Sequence, residues 1–254
     1  MDLYFREFGE GQPLIILHGL LGSSDNWLTI GRKLSHSRKV FIIDQRNHGK
    51  SFHSDIFDYS ALSQDIDHFI HSRQLVKPVL MGHSMGGKTV MNYAITHPEA
   101  LDRLIVVDIS PKQYDNQHVH ILDGLSSIDL TNLTLRNEAD AQLEKFVPEA
   151  GIRQFLLKNL TRDDQGQFKW RLNLKTVREK IDNVGQALPE GAFSTVKALF
   201  IYGGNSDYIQ SRDLITIPEI FPQAQFAKIE DAGHWVHSEK MEEFLEVVEN
   251  FLEE

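Results

Sequence analysis

Short, wholly apolar runs recur along the chain: Leu14-Ile15-Ile16-Leu17, Val40-Phe41-Ile42-Ile43, Val79-Leu80-Met81, Leu104-Ile105-Val106-Val107 and Ala198-Leu199-Phe200-Ile201-Tyr202. Runs of this length without polar alternation predict strands buried on both faces. Leu3 to Phe8 alternates instead and reaches Gly9-Glu10-Gly11, which predicts an antiparallel strand and a turn, and Gln225 to Ile229 predicts a last strand. Between the runs the spacing is helical. Trp27 to Leu34 fits a short helix, Ser60 to Leu75 a longer one with Ser60 as its cap, and Thr89 to His97 one closed by Pro98. Glu239 to Leu252 places Phe244, Leu245, Val248, Phe251 and Leu252 on one side. Strands alternating with helices predict an α/β fold, a doubly wound, mostly parallel sheet.

From about Lys112 to Gly191 the strand rhythm stops. Segments near 117–125, 136–147, 149–160 and 174–187 read as helices, with Asp163-Asp164-Gln165-Gly166 as a turn between two of them. The stretch is too long for an ordinary loop and too helical for disorder. The expected organisation is a core of residues 1–111 and 192–254, with a helical lid, 112–191, inserted over one edge of the sheet.

The chemistry centres on Pro78 to Gly87. Three apolar residues run into Gly82-His83-Ser84-Met85-Gly86, and a helical pattern follows. A serine on such a strand-turn-helix sits at a strained backbone angle, with small residues needed on either side. The following helix points its N-terminal amides at the place where negative charge would develop. Ser84, Asp108, Asp207 and His234 all follow predicted strands, so one edge of the sheet can gather them. Nucleophilic catalysis needs a serine hydroxyl, an imidazole to carry its proton and a carboxylate to orient the imidazole. The acid is open here between Asp108 and Asp207. In His18-Gly19-Leu20-Leu21-Gly22 the glycines let the loop pack closely beneath another loop, and Leu20 is placed to offer a backbone amide there. His18 and Trp235 are candidate pocket residues, and Asp44 to Ser51 reads as a structural turn.

Composition narrows the alternatives. The 254 residues carry 26 Lys plus Arg against 36 Asp plus Glu, a net charge of −10, which argues against nucleic acid or an anionic membrane as partner. No apolar h-region opens the chain and no run approaches a membrane span, so a soluble, cytoplasmic protein is expected. Zero cysteine excludes disulfides, thiol nucleophiles and thiolate metal sites, and the 12 histidines contain no His-Glu-x-x-His. Neither a metal nor a cofactor is expected. Oligomeric state is not encoded in any of these features.

The motifs His18-Gly19-Leu20-Leu21-Gly22-Ser23, Asp44 to Ser51, Gly82 to Gly87, Val107-Asp108-Ile109-Ser110-Pro111, Tyr202-Gly203-Gly204-Asn205-Ser206 and Gly233-His234-Trp235 span nearly the whole chain. In these the sequence resembles the alpha/beta-hydrolase superfamily, and within it the YbfF-like bacterial esterases. The resemblance implies Ser84 as nucleophile, His234 as base and acid, and the amides of Leu20 and Met85 as the oxyanion hole. Many members carry the acid where this chain has Ser206, one residue before Asp207; Asp108 occupies the other position where the fold places it, and the resemblance favours Asp108.

The expected function is hydrolysis of carboxylic esters of small or medium acyl groups through an acyl-enzyme. An acyl-CoA thioesterase and a carbon–carbon bond hydrolase share the same triad, and a non-catalytic binding module is the rival from another class. Between Gly151 and Lys180 eight basic residues stand against three acids. That segment either binds an anionic substrate or forms the solvated face of lid helices.

Overall fold

The computed structural model describes residues 2–115 and 118–254. The strands are β1 (Phe5–Phe8), β2 (Pro13–Leu17), β3 (Lys39–Ile43), β4 (Val79–His83), β5 (Arg103–Val107), β6 (Leu160–Arg162), β7 (Phe168–Trp170), β8 (Lys197–Gly203) and β9 (Ala224–Ile229). The α-helices are α1 (Leu28–Leu34), α2 (Tyr59–Ser72), α3 (Met85–Thr96), α4 (Val119–Ser127), α5 (Arg136–Leu143), α6 (Ala150–Leu157), α7 (Leu174–Glu179), α8 (Ile181–Gly185), α9 (Asp213–Ile220), α10 (Val236–Glu239) and α11 (Met241–Glu253).

Seven strands form one sheet in the order β1-β3-β2-β4-β5-β8-β9. Only β1 is antiparallel, against β3. The apolar runs are explained by two separate cores. Ile15, Leu17, Phe41, Ile43 and Leu80 pack on one face with Ile66 and Phe69 of α2 and Val90 and Met91 of α3. Leu14, Ile16, Val40, Ile42 and Met81 pack on the other with Ile30 and Leu34 of α1 and Phe244, Val248 and Phe251 of α11. Alternate side chains of each strand thus enter different cores, and no polar position survives between them.

Residues between β5 and β8 build a third cluster. Leu122, Leu125, Leu143, Leu156, Leu160 and Val177 pack there with Leu20, Leu21 and Met85, so this segment is anchored on the loops at the C-terminal edge of the sheet. No helix among the described residues is long and apolar enough to cross a membrane.

The local structure departs from the sequence reading at several points. Asp58, not Ser60, caps α2, accepting from the Ala61 amide at 2.8 Å. The 163–166 turn joins two strands rather than two helices: β6 and β7 pair antiparallel, with Gly166 in the left-handed region at φ 78°. Each has three residues, too few for a period to show. The 174–187 helix breaks into α7 and α8 at Lys180, whose φ of −113° and ψ of 15° are non-helical. Helix α9 was not expected; Pro218 inside it hides the pattern. The predicted helix 117–125 begins at residue 117, which lies outside the described residues; its described part is α4.

Candidate active site

Parallel registry aligns the strand ends that matter. Gly82 lies beside Leu17 and Val106, and His83 beside Val107, which lies beside Ile201. Residues just past β2, β4, β5 and β8 therefore share one edge. Ser84 stands between β4 and α3 with φ 52° and ψ −117°, a conformation that side-chain-bearing residues adopt only when the surroundings force it. The forcing is visible: a Cβ on Gly82 would lie 2.2 Å from the Gly86 carbonyl oxygen, and one on Gly86 would lie 2.5 Å from that of Leu17. The helix begins at once, at Met85, ahead of the start at Thr89 that the sequence pattern predicts.

His234 follows β9 and donates from Nδ1 to Asp108 Oδ2 at 2.7 Å. Asp108 is fully buried, in the left-handed region at φ 49°. Its other oxygen accepts from the Gly203 amide at 3.1 Å, and the Ser206 hydroxyl also bonds Oδ2. With Nδ1 committed as a donor, the His234 Nε2 is left as the acceptor of the neutral ring. Tyr208 stacks on that ring, centroid to centroid 3.9 Å and tilted by 17°. Asp207 is exposed and lines the outer wall of a cavity that also includes Ser84 and His234.

Among the described residues, the amides of Leu20 and Met85 have no acceptor within the chain. Their neighbours do: the Leu21 amide donates to His48 Nε2 and the Gly22 amide to the Gly19 carbonyl. Met85 opens α3, where first-turn amides have no intrahelical partner and the helix dipole favours negative charge. Two cavities meet over Ser84 and His234. One, of about 470 Å³, is the more polar of the two: Lys112, Gln113, Asp115 and Asn205 line it beside Ile109, Ile181 and Val184. The other, of about 650 Å³, is walled by Ile121, Ile152, Phe155, Leu156 and Trp235, with His18 at its base.

His18 is also a structural residue. It is fully buried, donates from Nδ1 to the Gly19 carbonyl and accepts the Gln45 amide on Nε2. It belongs to a set of buried histidines kept neutral by burial: His18 is lowered to about 4, His48 and His237 to about 3, and His83 well below the usual value. His83 donates to the His234 carbonyl, while His237 stacks on Trp27 with Nδ1 buried and unpartnered. Unfolding exposes all four, and each then takes up a proton below its ordinary pKa. Stability is thus complete above pH ~6.5 and falls as pH drops through the window below it, at up to about 1.4 kcal/mol per pH unit per histidine. Thermal midpoints measured from pH 8 to pH 4 should hold at the upper end and collapse below about pH 5.5. A flat profile down to pH 4 would contradict neutral burial.

Three of the eight basic residues between Gly151 and Lys180 are paired with acids. Arg153 bonds Asp140 at 2.9 Å, Arg171 lies 3.3 Å from Asp25, and Arg178 lies 2.6 Å from Asp123. Arg136, Lys158, Arg162 and Arg171 nonetheless line a depression of about 490 Å³, and Lys158 also borders the apolar cavity. Among the described residues, no group of three or more His, Asp or Glu is arranged to hold a metal. Sequence reasoning missed Tyr208 and the Ser206 bond to Asp108. The sequence marks Ser206 only as the occupant of an acid position, and nothing local marks Tyr208.

The family model for the alpha/beta hydrolase fold matches residues 12–241. The sn-1-specific diacylglycerol lipase ABHD11 of Xenopus laevis is 41% identical over 251 residues, covering 96% of this chain and 80% of that one. Esterase YbfF of Escherichia coli is 32% identical over 243 residues, covering 94% and 92%. A solved marine microorganism esterase superposes with a TM-score of 0.96 at 40% identity, covering 98% of this chain and 99% of that one. Matches of this length and identity mean that the chain belongs to the alpha/beta-hydrolase family, as an esterase/lipase-type hydrolase.

Proposed function

We propose that the protein is a serine hydrolase that cleaves carboxylic esters through an acyl-enzyme on Ser84. The observation that carries this reading is the 2.7 Å bond from His234 Nδ1 to buried Asp108, made beside a serine held at a strained turn. His234 Nε2 takes the Ser84 proton as Oγ attacks the ester carbonyl carbon. The carbonyl oxygen becomes an oxyanion against the Leu20 and Met85 amides, and the proton passes to the departing alkoxide. Water, deprotonated by the same imidazole, then releases the acid and restores Ser84. Asp108 holds the tautomer and stabilises the imidazolium.

The apolar cavity suits an acyl chain and the polar one suits an alcohol bearing hydrogen-bonding groups. Residues 112–191 act as a lid in this reading, since their cluster rests on Leu20 and Met85. The name of the Xenopus laevis relative motivates adding a diacylglycerol to a panel of p-nitrophenyl esters of graded chain length. Turnover is expected for short and medium acyl groups, and the panel fails the proposal if no ester is cleaved while acyl-CoA thioesters are. The thioester reading is favoured by one feature, the cationic depression that shares Lys158 with the apolar cavity. In that case acyl-CoA affinity falls as salt shortens the Debye length to ~8 Å, and a neutral ester is unaffected.

A further inference from the structure

Lys88 lies one turn after Ser84 on α3, its amide donating to the Ser84 carbonyl at 3.0 Å. It is only 1% exposed, on a face where helices ordinarily present aliphatic side chains. Its Nζ donates to three backbone carbonyls: Lys112 at 2.5 Å, Gln186 at 2.7 Å and Pro111 at 3.3 Å. An ammonium has three N–H groups, and each finds one acceptor. Those acceptors come from the two ends of one insertion. Pro111 and Lys112 follow β5 as the chain leaves the sheet, and Gln186 stands on its return after α8.

The two ends also bond each other. The Tyr114 amide donates to Gly185 at 2.8 Å and the Leu188 amide to Pro111 at 2.9 Å. The same stretches supply Lys112, Gln113, Tyr114, Val184 and Gly185 to the wall of the polar cavity. From there a contact path reaches the catalytic edge. The Tyr114 hydroxyl donates to the Tyr208 carbonyl, and Tyr208 stacks on His234. The ammonium also lies 5.2 Å from the centroid of the Tyr114 ring, and burial lowers its pKa to about 7. A buried lysine held by three carbonyls and a ring face is a costly way to fill a core position, so its geometry calls for a role that an aliphatic side chain cannot supply.

We propose that Lys88 is a positioning residue that ties both ends of the 112–191 segment to α3, and so sets the wall of the polar cavity facing Ser84. Its consequence for turnover rests on the proposed ester hydrolysis; the tie itself does not. Removing the ammonium leaves three carbonyls without their donor and frees the two ends to move relative to α3. Substrates that fill the polar cavity lose affinity, while the reacting groups stay in place.

The test is hydrogen exchange by mass spectrometry on the full chain, with kinetics beside it. In Lys88→Met the amides of 112–115 and 185–188 should exchange about tenfold faster or more, with α3 itself still protected. KM for an ester with a bulky polar alcohol should rise about tenfold while kcat changes by less than about threefold, and an ethyl ester should respond less. The chain has no cysteine. Lys88→Cys can therefore be alkylated with 2-bromoethylamine in the unfolded state and refolded, which restores an ammonium at nearly the native length; wild-type protection and KM should return. Wild-type exchange and KM in Lys88→Met would overturn the proposal. So would a refolded aminoethylated chain whose two ends remain unprotected, or a wild-type chain in which the Tyr114 and Leu188 amides already exchange freely. Should the wild type cleave no ester, the proposed reaction fails, and the exchange measurements alone decide the tie.

Discussion

Ser84→Ala should lower ester hydrolysis by at least about a thousandfold, and His234→Ala should fall as far, because each removes one half of a single proton-coupled attack. The double variant should be hardly worse than either single one, since the groups act as a unit. The fold should survive. Ser84 holds its conformation through the packing of Gly82 and Gly86 against the neighbouring backbone, and its amide bonds the Val107 carbonyl whatever the side chain. Ester cleavage by Ser84→Ala at a tenth of the wild-type rate, measured with the same p-nitrophenyl ester, would remove Ser84 from the mechanism.

The acid provides the second large effect. Asp108→Asn should cost about 10⁴-fold in kcat, and Asp207→Asn less than about threefold. The asparagine is nearly isosteric and can still accept the Gly203 amide, so the loss reports chemistry rather than unfolding. It withdraws the negative charge that stabilises the imidazolium, and its amide group competes with the Nδ1–H for the tautomer. Asp207 is exposed on the cavity wall, where the charge of its side chain is solvated. If Asp207→Asn proves the crippled variant and Asp108→Asn is mild, the acid assignment is wrong.

The sheet was legible because its strands bury both faces: Leu14 to Leu17 and Val40 to Ile43 can be little else. Gly82 and Gly86 were legible for a related reason, since a sharp turn between a buried strand and a helix leaves no space for a Cβ. The choice between Asp108 and Asp207 was harder, because both follow strands and a shift of one residue re-aims a side chain. Asp108 reaches His234 through a left-handed backbone conformation that no local pattern announces. The β6–β7 hairpin was illegible because three-residue strands carry no period. Tyr208 and Lys88 gain their meaning from contacts across 26 and about a hundred residues, respectively, with His234 and Gln186 as partners.

The most direct test of Ser84 as nucleophile is the location of a covalent adduct. The wild-type chain is treated with a fluorophosphonate, and separately quenched in acid during turnover of a p-nitrophenyl ester, then digested and mapped by mass spectrometry. One phosphonyl group, and one acyl group, should appear on the peptide containing Ser84, with neither on Ser84→Ala. Asp108→Asn should label far more slowly than Asp207→Asn. An adduct on another residue, or undiminished labelling of Ser84→Ala, would contradict the account.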